Sequence, residues 1–175
     1  MTDGIVLPPG GGRKLVTEAQ EVTFKVTGDS SRTGSLFEVL VPPGFDVGAH
    51  VHTRSEEIFY VLEGDLELFA FEPDERTPDD WQQWRGSGGL KPIQAGAGSC
   101  MFVPAGCPHA FTNLGDEPAR MLFLSAPPPD HERYFEELLE ILGVGAADHE
   151  SVARLREKYD IHQITPLRYA ARQTP

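Results

Sequence analysis

Cysteine is nearly absent from this 175-residue chain, which has only Cys100 and Cys107. Two are too few for a disulfide framework, and their spacing fits neither a CxxC redox pair nor a zinc knuckle. Reduced thiols in a cytoplasmic protein are the expectation. Basic residues are scarce too. Fifteen Lys and Arg against 27 Asp and Glu leave a net charge of −12, which opposes charge-driven binding to nucleic acid or anionic lipid. No apolar run approaches the roughly 20 residues that span a bilayer. Positions 1–12 lack a charged stretch followed by an apolar one, so no secretory signal is expected. No Gly-rich phosphate motif and no internal repeat occurs. What the chain does have is apolar content, 39% hydrophobic and 9% aromatic, enough for a packed core.

Eighteen glycines and 15 prolines punctuate short runs rich in Val, Phe and Leu. Segments 22–27, 36–41, 57–62, 66–71, 100–103, 109–113 and 120–125 read as strands. Gly64-Asp65 fits a two-residue hairpin loop, and Val103-Pro104-Ala105-Gly106 a type I turn. Many short strands without intervening helices predict an all-β antiparallel sandwich or barrel. Two segments break that pattern. Residues 72–97 form a long insertion carrying Trp81, Trp84 and Arg85, with the tryptophans favoured as anchors on the barrel over a cap at its mouth. After three prolines at 127–129 the period lengthens to that of a helix. Tyr134, Phe135, Leu138, Leu139, Ile141 and Leu142 then share a face, with Gly143 as the stop. A second helix is expected from Asp148 as N-cap, with Val152, Leu155 and Tyr159 on one side. The two read as a hairpin packed on the barrel.

Three of the six histidines stand in a distinctive arrangement. His50 and His52 lie two apart, so an extended chain points both to one face. Glu57 follows at the start of a strand, and His109 opens another. Three imidazoles and a carboxylate suit a first-row transition metal (Fe, Mn, Ni, Cu, Co or Zn) better than Ca²⁺ or Mg²⁺, which prefer oxygen shells.

The spacing around these residues resembles the two motifs of the cupins. The first reads Gly44-FDVGA-His50-V-His52-TRSE-Glu57-IFYVLE-Gly64, the second Gly98-SCMFV-Pro104-A-Gly106-CP-His109-AFT-Asn113. The resemblance implies a single cupin barrel, of jelly-roll or double-stranded β-helix type, over residues 14–127, with motifs at 44–64 and 98–113. Residues 128–175 would form a helical extension packed on it. It further implies that His50, His52, Glu57 and His109 bind one divalent metal ion inside the barrel near a mouth, and that the protein is a homodimer. Glu56 is the competing carboxylate, but Glu57 keeps the six-residue gap to Gly64.

Strand alternation directs Phe59, Val61 and Phe111 inward beside the ligands, with Met121 and Phe123 as companions from the last strand. An aromatic cavity beside a metal suits a small planar or apolar molecule. His131, His149 and His162 read as solvated residues of the helical tail, and Arg54 as a surface residue. The chain also resembles the flavonol-cleaving cupin dioxygenases, in which the ligating Glu doubles as a base. The expected function is thus a metal-dependent dioxygenase acting on a small aromatic or enolic molecule, with Fe or Mn favoured and Glu57 catalytic. A cyclase, isomerase or dehydratase without O₂ chemistry is the second reading. A non-enzymatic binding protein is the third, disfavoured by the acidic charge and the lack of a DNA-binding segment. Ten of the 27 acids fall between positions 56 and 80 against the single base Arg76. Glu57 is expected to leave that acidic rim for the metal.

Overall fold

The computed structural model describes residues 4–17, 21–143 and 149–169. Its chain runs through β1 (Arg13–Val16), β2 (Glu21–Val26), β3 (Ser35–Val41), β4 (His50–Val51), β5 (Glu56–Glu63) and β6 (Leu66–Ala70). Two 3-10 turns, Trp81–Gln83 and Ser87–Gly89, lead into β7 (Ile93–Ala95), β8 (Cys100–Val103), β9 (His109–Thr112) and β10 (Ala119–Ala126). Helices α1 (His131–Gly143) and α2 (His149–Lys158) follow, and a short β11 (His162–Gln163) closes the order. One antiparallel sheet has the order β1-β2-β3-β10-β5-β8 and the other β11-β4-β9-β6-β7. This is the expected all-β barrel with C-terminal helices.

Alternation decides what each strand buries. On β3, Phe37, Val39 and Val41 point inward; on β10, Met121 and Phe123; on β5, Glu57, Phe59 and Val61. Register aligns Phe123 with both Phe37 and Phe59, so three rings stack across the sheet with centroids 5.4 and 5.1 Å apart. The outer face of β5 and β8 leaves Ile58, Tyr60 and Phe102 exposed. Asn113, the last residue of the second motif, is a brace: its amide donates to the carbonyls of Val41 and Glu117, both at 2.9 Å.

The tryptophans anchor the insertion. Trp81 stacks on Phe69 at 5.1 Å and donates to Asp46 Oδ1, while Trp84 donates to Thr77 Oγ1. Both indoles are thereby buried with their N–H groups satisfied. Arg85 stays exposed.

Three local expectations need correction. The Gly64-Asp65 connection is no hairpin, because β5 and β6 belong to opposite sheets and the chain turns a barrel corner there. The turn after β8 is shifted by one residue. Cys107 N–H donates to Pro104 O, and Gly106 takes φ 85° at the third position, the signature of a type II turn. Finally, residues 159–169 after α2 are not helical. β11 pairs with β4, Ile164 N–H donates to Ala49 O, and Asp46 and Arg168 exchange backbone bonds. Segment 46–51 would otherwise expose an unpaired strand edge, which the returning chain covers. The expected α2 cap Asp148 lies outside the described residues. α1 runs to Gly143 and buries Tyr134, Phe135 and Leu138, with Leu139 and Ile141 only partly covered.

Candidate metal centre

β4, β5 and β9 bring His50, His52, Glu57 and His109 together. His50 and His109 are register partners, and His52 lies just beyond β4 on the same face. All four side chains are buried, and their ligand atoms lie within 4.8 Å of one another. Glu56, one residue away, points out to solvent.

Each imidazole is oriented by a backbone carbonyl. The Nδ1 of His50 donates to Gly48 O at 2.8 Å, that of His52 to Asp160 O at 2.9 Å, and that of His109 to Cys107 O at 3.1 Å. A carbonyl only accepts, so each Nδ1 carries a proton and each Nε2 is the atom left to bind an ion or a second proton. Gly48 makes its bond possible by adopting φ 70°. A side chain there would collide with Gln163 and with the carbonyls of Thr165 and Pro166.

The Nε2 atoms of His52 and His109 face the two Glu57 oxygens at 3.1 and 3.0 Å. With neutral rings lone pair meets lone pair there, and among the described residues neither Glu57 oxygen nor His109 Nε2 has another hydrogen-bond partner. A shared proton or a cation resolves that opposition, and one divalent ion serves all four groups. Adjacent ligands about 2.1 Å from an ion stand about 3 Å apart, as these do. Burial pushes His50 far below its usual range, and the charges of His109, Arg156 and His52 reinforce this. Burial works against Glu57 ionisation, but its pairing with His52 and His109 outweighs this and holds the carboxylate well below its usual range, while the Glu57 charge raises His52 against the effect of burial, so an entering ion takes the place of the proton His52 would hold. Neutral imidazole and carboxylate are the ligand-ready forms. The cluster is compatible with a single transition-metal ion.

Above it opens a cavity of about 970 Å³. Phe59, Phe111, Met121 and Phe123 line its barrel side, as strand alternation predicts, while His131, Tyr134 and Arg156 line its helical side. Val61 does not line it. It pairs with Met121 farther along β5, fully buried in the core.

A family profile settles the kinship, matching residues 9–140, three quarters of the chain. The chain is a cupin. It is 32% identical over 98 residues to the uncharacterized protein MJ1618 of Methanocaldococcus jannaschii, covering 56% of this chain and 64% of that one. It is also 32% identical over 95 residues to the polyketide synthase CurC of Streptomyces cyaneus, covering 54% and 50%. The chain therefore spans less than two thirds of either curated relative. Among solved structures, the polyketide cyclase RemF of Streptomyces resistomycificus superposes with a TM-score of 0.53 at 20% identity, over 73% of this chain and 80% of that one. At that identity the likeness is one of fold.

Three contributors to this cupin's site went unread in the sequence. His131 is not solvated. It is 3% exposed, lies 4.0 Å from Glu57 Oε1, and packs its ring on Phe123 at 5.0 Å. Burial lowers its pKa to about 3. The sequence did hold the signal, since His131 stands three, four and seven residues before Tyr134, Phe135 and Leu138 on one helical stripe. Arg156 follows Val152 by four in the same way and is buried. Asp160 is the third. Beyond holding His52 through its carbonyl, its carboxylate accepts from the N–H groups of Thr53 and Arg54 and from the Thr53 hydroxyl. His162 is half-exposed and bonds to Asp160 Oδ1, and Arg54 is a surface residue near the same carboxylate. The side chain of His149 lies outside the described residues.

Asp160 also sits at φ 60°, tolerable for Asp but strained for Ala. Asp160→Ala is expected to cost about 2–3 kcal/mol of stability by urea denaturation and to weaken metal binding about 10–100-fold. Unchanged affinity in a metal titration would remove Asp160 from the site.

Cys100 and Cys107 are both free. Burial raises the Cys107 thiol, with the Glu72 charge adding to the effect, the opposite of what a nucleophile needs.

Proposed function

We propose that this cupin is a metal-dependent dioxygenase acting on a small planar molecule with an enol or phenol hydroxyl. The observation that carries the reading is the placement of Glu57, an ionised carboxylate buried among three imidazoles at the floor of an aromatic-walled cavity. Phe59, Phe111 and Phe123 offer flat faces to a ring system, and apolar walls keep water from the reacting atoms. His50, His52 and His109 hold the ion, and Glu57 takes the hydroxyl proton from the bound substrate. Iron or manganese, the favoured metals, would supply a Lewis acid and exchange electrons with O₂. A cavity of about 970 Å³ beside the ligands weighs against a purely binding role. The expected homodimer would cover the exposed Ile58, Tyr60 and Phe102.

The polyketide synthase CurC among the relatives favours a second reading, in which a poly-ketone or enol is cyclised, isomerised or dehydrated without O₂. Oxygen uptake separates the two. Tag-free protein, with its metal identified by mass spectrometry, is offered a flavonol, a hydroxynaphthoquinone and a catechol in an oxygen electrode. Uptake is expected with at least one of them, lost on chelation and restored by Fe or Mn. Substrate loss without oxygen uptake, or zinc as the sole native metal, would replace the first reading with the second.

A further inference from the structure

Arg156 is a cation in the wrong place for a structural residue. It stands in the last turn of α2, is 2% exposed, and lines the cavity beside the metal ligands. Among the described residues no carboxylate pairs with it. Among the described residues its guanidinium makes one hydrogen bond, from a terminal nitrogen to Val47 O at 3.1 Å, and its Nε, fully buried, has no partner. Nearby acids are committed elsewhere. Asp46 accepts from Trp81 and Gly48 and faces Arg168, while Glu57 belongs to the histidines. Val47 O does not depend on the arginine either, since Gln163 Nε2 also donates to it. A buried, unpaired guanidinium is held against a steep desolvation penalty, and its favourable position at a helix C-terminus offsets only a little of it. Such a group is retained where something else completes it.

We propose that Arg156 is the docking point for a carboxylate carried by the ligand of this cavity. The substrate class then narrows to planar aromatic or enolic acids, the acid seated on α2 and the ring between the phenylalanines. This rests on the reading that the cavity holds the substrate. It gives the helical hairpin a task beyond packing, because the barrel wall supplies aromatic contact and α2 supplies the charge that selects. The guanidinium fork suits a carboxylate, which accepts two parallel N–H bonds.

The test compares 2-naphthoate with its neutral isostere 2-naphthamide, by calorimetry on the full chain as purified, under nitrogen. Wild-type protein is expected to bind the acid at least about tenfold more tightly, an ordinary share for a buried charge-assisted pair. In Arg156→Met that ratio falls at least fivefold, while affinity for the amide persists and reports an intact cavity. Arg156→Lys keeps part of the preference. Thermal stability of Arg156→Met is not lowered, since an apolar side chain of similar length relieves the buried charge. A merely structural arginine would give the reverse, a less stable variant with its ligand preference intact. Equal affinities for acid and amide, no binding of either, or a preference that survives in Arg156→Met overturns the assignment. Oxygen does not enter this measurement. A protein that selects the acid but consumes no O₂ loses the dioxygenase reading alone, and one that consumes O₂ but ignores the acid loses this one.

Discussion

Glu57→Gln is expected to lower turnover by about 10²–10⁴-fold, the usual contribution of a positioned general base. The substitution keeps the volume of a fully buried side chain and one carbonyl oxygen for the metal, but removes the charge that accepts a proton. Three imidazoles, each still oriented by its own carbonyl, continue to hold the ion. Metal content by mass spectrometry is therefore expected to stay near stoichiometric when metal is supplied in excess. The amide also brings a donor to a place where the wild type has none. Its NH₂ group can satisfy the Nε2 of His52 or His109, which the carboxylate oxygens face at 3.1 and 3.0 Å. Unchanged turnover with metal bound would end the role of Glu57 as a base.

Phe37→Ala is expected to cost about 3–5 kcal/mol, a large part of the 5–15 kcal/mol typical of a whole domain. Phe37 is 0% exposed and joins the barrel to its helices. It stacks on Phe123 at 5.4 Å, meets Phe24 edge-on at 5.5 Å, and touches the rings of His131 and Phe135 at 6.0 Å. Removing it leaves a void next to two cavity residues, Phe123 and His131, whose positions it fixes. Trp81 and Trp84 lie in a separate cluster, so their fluorescence reports global unfolding rather than the local change. A loss under about 1 kcal/mol would mean that α1 slides in to fill the gap, contrary to a rigid interface.

The clustering of His50, His52, Glu57 and His109 was legible because barrel geometry ties spacing to direction. Two residues apart on an extended chain means one face, which put His50 with His52 and carried Glu57 to Phe59 on the inner side of β5. The partner strands are distant in sequence, and only the fixed intervals of the two motifs linked His109 to the rest. The helical tail offered no such rule. A helix stripe marks what is buried but not what it is buried against, so a histidine among aromatics could be a frayed surface residue or a cavity wall. His131 fell on the wrong side of that ambiguity, and Arg156, which also lines the cavity, was not singled out at all. Asp160 was hidden more deeply, since its hold on His52 runs through a backbone carbonyl that any residue type possesses. β11, two residues long, is too short for alternation to register.

The return of the chain to β4 has a temporal side. Gln163 pairs with His50, and the Asp160 carbonyl sets the His52 ring. On the ribosome, His109 emerges roughly fifty residues before these two supports, a delay of about 2–10 s at ordinary synthesis rates of 5–20 residues per second. During that interval all four residues exist in the nascent chain, but the His52 ring lacks the carbonyl that orients it. A metal ion would therefore meet the complete cluster only once residue 160 has been translated, and an ion met earlier would find one ring without its support.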